Sequence, residues 1–130
     1  MNLIKATIPN IGSGNDPAIN ALDAPYAVAA VTASGAISAT QGLIAVTAGS
    51  VAALTLAAPV AGLPSPGGND GQTLEILSTT AYAHTVTTPS NAINGSKHIA
   101  TFAAAVGNFL ILEAYNGVWY ALAQTGITLS

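Results

Sequence analysis

Two basic and five acidic side chains are the whole formal charge of this 130-residue chain, which carries −3 near neutral pH. Charged residues are 5% of the sequence, against about 25% in an ordinary soluble domain. That scarcity constrains the fold more than any motif does. Helical bundles and coiled coils line their outer faces with Glu, Lys and Arg. This chain has no Arg, and its only Lys are Lys5 and Lys97. A basic surface for nucleic acid is excluded on the same count. Disorder requires low hydrophobicity with high charge, whereas 51% of these residues are hydrophobic. What remains is a nearly neutral, β-rich domain. Its exterior must be hydrated by Thr, Ser, Asn and Gln, or covered by other chains.

The hydropathy pattern agrees. A period of two dominates the chain and the helical period is scarce. Residues 3–8 alternate loosely, with Ile4, Ala6 and Ile8 on one side. From there to Pro25 the chain reads as an irregular arm punctuated by Pro9, Pro17, Pro25, Gly12 and Gly14. Short β-like runs follow at residues 26–33, 36–40, 43–47 and 51–58, where Val, Ile and Thr interleave with Ala. Ala30-Val31-Thr32-Ala33 returns as Ala45-Val46-Thr47-Ala48, fifteen residues on. That spacing is read as successive hairpin strands rather than a solenoid. A loop at residues 61–71, rich in Pro and Gly, separates the two halves. Further runs occupy residues 73–77, 84–88, 99–103, 108–115, 118–124 and 127–129. The expected fold is all-β. It is an antiparallel β-sandwich or small barrel-like domain over residues 26–130, preceded by an extended N-terminal arm over residues 1–25.

The sharpest local signal is Asn116-Gly117, a pair favoured in two-residue type I′ turns. Such a turn pairs Tyr115 with Val118, Glu113 with Tyr120, Ile111 with Leu122 and Phe109 with Gln124. The opposite face then holds Ala114 with Trp119, Leu112 with Ala121 and Leu110 with Ala123. Both faces are mainly apolar, so this hairpin is expected to be covered on both sides. Leu110, Leu112, Trp119 and Tyr120 are the expected core or subunit-interface residues.

Candidate chemistry is thin. His84 and His98 are the only imidazoles, and their spacing matches no ligand motif, so no metal is expected. Gly67-Gly68-Asn69-Asp70-Gly71 and Gly12-Ser13-Gly14-Asn15-Asp16 read as turns, since isolated Gly-Asp loops supply too few oxygens for calcium. Asn94-Gly95-Ser96 reads as a turn as well. The acidic residues Asp16, Asp23, Asp70, Glu75 and Glu113 are too dispersed for a carboxylate pair, and no nucleophile elbow or phosphate loop occurs. The expectation is a non-enzymatic protein with no cofactor. A mean hydropathy of +0.55 invites a membrane reading. Polar residues, Gly and Pro break every apolar run well before about 18 residues, however, so no membrane partner is expected. No apolar signal region follows Lys5, so synthesis in the cytoplasm is the expectation.

With so little charge to spread over a free surface, a permanent homo-oligomer is the economical expectation. Its contacts would join the Ala-rich first half to the final hairpin. Leu3, Ile4, Ile8 and Ile11 stand out as anchors with which the arm would grip another protein.

Particular stretches carry a resemblance. Gly71-Gln72-Thr73-Leu74-Glu75-Ile76, Ala83-His84-Thr85-Val86-Thr87-Thr88-Pro89 and Ile93-Asn94-Gly95 are three of them. Ala100-Thr101-Phe102 and the run Leu112-Glu113-Ala114-Tyr115-Asn116-Gly117-Val118-Trp119-Tyr120 complete the set. The second half resembles small β-structured virion proteins of tailed bacteriophages, above all head-decoration (cement) proteins. The resemblance implies an all-β domain, commonly trimeric, bound to the major capsid protein on the outside of a capsid, where it reinforces joints between subunits. It supplies no catalytic residues. A tail- or head-fibre or receptor-binding β module is the alternative. Such a module would present aromatic side chains from among Tyr26, Tyr82, Tyr115, Trp119 and Tyr120.

Overall fold

A computed structural model describes residues 27–130. Ten strands follow one another without a helix: β1 (Val28–Val31), β2 (Gly35–Ile37), β3 (Gly42–Val46), β4 (Ala53–Leu56) and β5 (Thr73–Ser78), then β6 (Thr85–Thr87), β7 (Ile99–Phe102), β8 (Phe109–Tyr115), β9 (Val118–Thr125) and β10 (Ile127–Leu129). They form two packed five-stranded sheets, ordered β1-β3-β5-β8-β9 and β10-β7-β6-β4-β2. The architecture is an open all-β sandwich, not a closed barrel. Every strand expected from the period-two pattern within the described residues is present.

The pairing departs from a wholly antiparallel sandwich. In the first half the chain alternates between the sheets, so β1, β3 and β5 stack in parallel, as do β2, β4 and β6. This is a three-rung β-solenoid. The repeated Ala-Val-Thr-Ala segment marks its first step. Ala30 lies beside Ala45 and Val31 beside Val46, in parallel register. The reading of that echo as hairpin strands is therefore corrected. A fifteen-residue period is too short for two strands in one sheet with a helical crossover, yet ample for one strand in each sheet and two tight corners. The next step is 32 residues in both sheets, with Ile44 beside Ile76 and Leu54 beside Val86. The added length is the loop between β4 and β5. From β7 onward the pairing is antiparallel and closes the solenoid at one end.

Alternation places one side of each strand in the core. Ile44, Val46, Leu54, Leu56, Leu74, Ile76, Val86, Phe102, Leu110, Leu112 and Trp119 are buried between the sheets. The loop between β4 and β5 is stitched by side-chain amides. Val60 N–H donates to Asn69 Oδ1 at 2.6 Å, and Asn69 Nδ2 donates to Gln72 Oε1 at 3.0 Å. Its Asp70 accepts a hydrogen bond from Asn116 N–H at 2.7 Å, which ties this loop to the turn of the final hairpin.

That turn has the expected geometry, with φ of 49° at Asn116 and 82° at Gly117. The expected pairs Tyr115–Val118, Glu113–Tyr120, Ala114–Trp119 and Leu112–Ala121 are present. Beyond Leu112 the register shifts by one. Ile111 pairs with Ala123, Leu110 with Gln124 and Phe109 with Thr125. The expected pairs with Leu122, Ala123 and Gln124 are thus displaced by a β-bulge. A bulge places two residues of one strand opposite one of its partner and turns side chains that strict alternation would leave in place.

Candidate interaction surface

The two outer faces of the sandwich differ in chemistry, and the strand registers show how. Across the first sheet one row runs Val28, Leu43, Glu75, Ile111, Ala123, and the next runs Ala30, Ala45, Leu77, Phe109, Thr125. Glu113 and Tyr120 form a shorter row with Thr73. Across the second sheet the rows run Ala53, Thr85, Thr101, Thr128 and Ala36, Thr55, Thr87, Ile99. The second face is a threonine lattice in which Thr55, Thr101 and Thr128 are exposed and Thr85 and Thr87 half-buried. The first is an aliphatic and aromatic surface interrupted by two carboxylates.

The first face is not sealed. Leu43, Leu77, Phe109 and Ile111 are half-buried by their neighbours alone. With Glu75 they line a shallow depression of about 290 Å³. On the strands of the same sheet Val28 is 67% exposed, Tyr115 62% and Leu122 57%. Tyr120 stands on the same side. Glu75 and Glu113 sit on adjacent strands, displaced by two residues in the register, and no salt bridge reaches either among the described residues. The surface therefore suits a partner that offers apolar side chains.

Among the described residues no further rung follows at the end formed by β1 and β2. Ala29 lies in the inward-facing row with Ile44, Ile76 and Leu110, yet it is exposed because no rung covers it among the described residues. The outer edges of β1 and β2 carry no strand partner among the described residues. Backbone donors and acceptors at such an edge are the usual seat for an added strand.

The residues singled out from the sequence separate into three groups. Leu110, Leu112 and Trp119 are fully buried in the core. Tyr120 lies outside, on the apolar face. Leu3, Ile4, Ile8 and Ile11, with Tyr26 and the Gly12–Asp16 turn motif, lie outside the described residues. Asn94 and Gly95 form a turn with φ of 52° and 75°. His98 is exposed, whereas His84 is fully buried. Among the described residues no group of three or more His, Cys, Asp or Glu is gathered to hold a metal ion, and no helix is long and apolar enough to cross a membrane.

Sequence reasoning missed two features. Asp70 anchors the hairpin turn across 46 residues, which no local pattern announces. Glu75 and Glu113 share the apolar face, a fact that needs both the β5–β8 register and the alternation of each strand. No family model matches this sequence, and no curated protein matches it either.

Proposed function

We propose that this chain is a structural virion protein that binds the outside of a tailed-phage capsid as an oligomer and stabilises joints between capsid subunits. The observation that supports this reading most is the contrast between the two sheet faces. One molecule hydrates its second sheet with threonine and leaves its first sheet apolar, so the apolar side is built to be covered. It joins the Ala-rich strands β1 and β3 to the final hairpin, the two regions expected to meet a neighbouring subunit. The capsid, and the trimer as the order of assembly, rest on the resemblance of the second half to decoration proteins. The arm residues Leu3, Ile4, Ile8 and Ile11 are proposed as the capsid contact, donating backbone hydrogen bonds and filling small pockets.

Co-sedimentation of the purified protein with undecorated phage heads tests the attachment. The intact protein is expected to pellet with the heads, and a chain lacking residues 1–25 to stay in the supernatant while remaining folded. Full binding without the arm would move the contact to the β domain. Ile111→Lys tests the assembly face, because it places a charge at the centre of the depression. It is expected to leave far-UV circular dichroism unchanged and to dissociate the multimer in sedimentation velocity.

A second reading rests on a particular observation. Tyr115 and Tyr120 are both exposed on the final hairpin, and Tyr82 is exposed elsewhere, as a receptor-binding fibre module would need. Failure of the intact protein to bind heads, together with saturable binding to a glycan array that Tyr120→Ala abolishes, would favour that reading.

A further inference from the structure

At one corner of the solenoid, the turn from β3 to β4 stacks on the turn from β5 to β6. Backbone and hydroxyl groups hold the two turns together. Thr79 N–H donates to Val46 O at 3.0 Å, Thr80 Oγ1 donates to Ala48 O at 2.8 Å, and Thr85 N–H donates to Ala52 O at 3.0 Å. In the middle stands the imidazole of His84, fully buried. Ala52 N–H donates to its Nδ1 at 3.0 Å, and its Nε2 lies 3.0 Å from Thr80 Oγ1.

These contacts define one protonation state. A backbone N–H can only donate, so Nδ1 must be the unprotonated nitrogen of a neutral ring. Nε2 then carries the proton and donates to Thr80 Oγ1, whose own proton is committed to Ala48 O. Every polar atom of the ring is satisfied, and none has capacity left for a second proton. Protonation at Nδ1 would set two N–H donors against each other at hydrogen-bond distance and leave a buried cation with no counter-charge beside it among the described residues. The groups facing the ring are Thr80 and Tyr82 from its own turn, Ala48 and Ala52 from the neighbouring turn, and Phe102, whose N–H donates to His84 O at 2.8 Å. Tyr82, with its ring centroid 6.2 Å away, is the one titratable side chain among them.

We propose that His84 is a proton-operated latch: uptake of a proton at Nδ1 removes the acceptor that holds Ala52 and releases the β3–β4 turn from the β5–β6 turn. Burial lowers the basicity of the ring from its ordinary value near 6.5. The open turn therefore binds a proton more readily than the closed one. A group held less basic when closed favours closure fully above 6.5, and that preference is lost as pH falls below it. The latch is shut at neutral pH and opens in acid. It requires neither an oligomer nor a capsid, so its failure and that of the function proposed above are separate results.

The ring's ¹⁵N shifts and the Ala52 amide report the latch directly in the full-length protein. At pH 7.5 the shifts are expected to show a proton on Nε2 and none on Nδ1. Between pH 6.5 and the lowered midpoint of His84, the opening constant from Ala52 hydrogen exchange is expected to rise about tenfold per pH unit, the slope for one proton. Leu110 and Leu112 open only with the whole sandwich, which also frees His84, so they share that slope, and the latch is marked by an Ala52 opening constant well above theirs at every pH. His84→Asn keeps an acceptor where Nδ1 stands but cannot titrate, so its Ala52 opening constant should not change with pH. A proton on Nδ1 at pH 7.5, or an Ala52 opening constant flat with pH in the wild type, would overturn the proposal. So would the same acid dependence in His84→Asn.

Discussion

Trp119 shows how much one side chain contributes here. Its indole is fully buried between the sheets, and its Nε1–H donates to Ala57 O at 2.9 Å, across 62 residues of sequence. It thereby joins the final hairpin to the loop that leaves the second solenoid rung. Trp119→Ala removes the largest buried side chain and leaves a cavity that open sheets cannot close by sliding. The expected loss is about 3–5 kcal/mol, read from chemical denaturation at constant m-value. Gly126 is constrained in a different way. Its φ is 67°, and a Cβ there would run into the side chain of Asn108, which is buried and donates to Ala103 O at 2.8 Å. Gly126→Ala is expected to lower the melting temperature although it adds only a methyl group, because both the backbone and a satisfied amide must shift.

At the scale of the element, the hairpin of β8 and β9 rests on three supports. These are the type I′ turn, the buried row ending in Trp119, and the Asp70 carboxylate that accepts from Asn116 N–H. Replacing Gly117 by Val demands a positive φ from a β-branched residue, which is strained wherever the turn sits. Loss of the hairpin's slow-exchanging amides is the expected readout, ahead of those in β3 and β5. Asp70→Ala leaves the turn conformation allowed and removes only its tether. Its cost should be smaller, about 1 kcal/mol, since the bond is exposed. If Asp70→Ala proved as damaging as Gly117→Val, the tether rather than the turn would set the register. The bulge after Leu112 belongs to this scale too. It was not legible from alternation, because a bulge adds one residue without changing the apolar composition of either strand.

For the molecule as a whole, the deciding fact is the difference between two faces built from one alternating pattern. The threonine rows on the second sheet can remain wet, while the first sheet presents aliphatic and aromatic groups around Glu75 and Glu113. The association proposed for that face would depend on apolar burial, with no cation among the described residues on it to pair across the contact. Sedimentation should therefore show the same multimer at low salt and near 1 M salt, where ion pairs would be screened. A stable monomer in dilute solution would remove the self-association reading.

The sequence by itself determined the β class, the positions of the strands within the described residues, the type of the final turn and the alternation that buries Leu110, Leu112 and Trp119. These follow from local chemistry: β-branched residues at a period of two, Gly and Asn where φ is positive, and too little charge for a helical exterior. Only the tertiary structure decided that Val31 lies beside Val46 in parallel rather than across a hairpin, because an alternating strand has the same pattern whichever direction its neighbour runs. It also decided that His84 is a buried acceptor and that Glu75 and Glu113 share an apolar face. Those placements depend on which distant strands pair and in what register, which the side chains of any one segment do not encode.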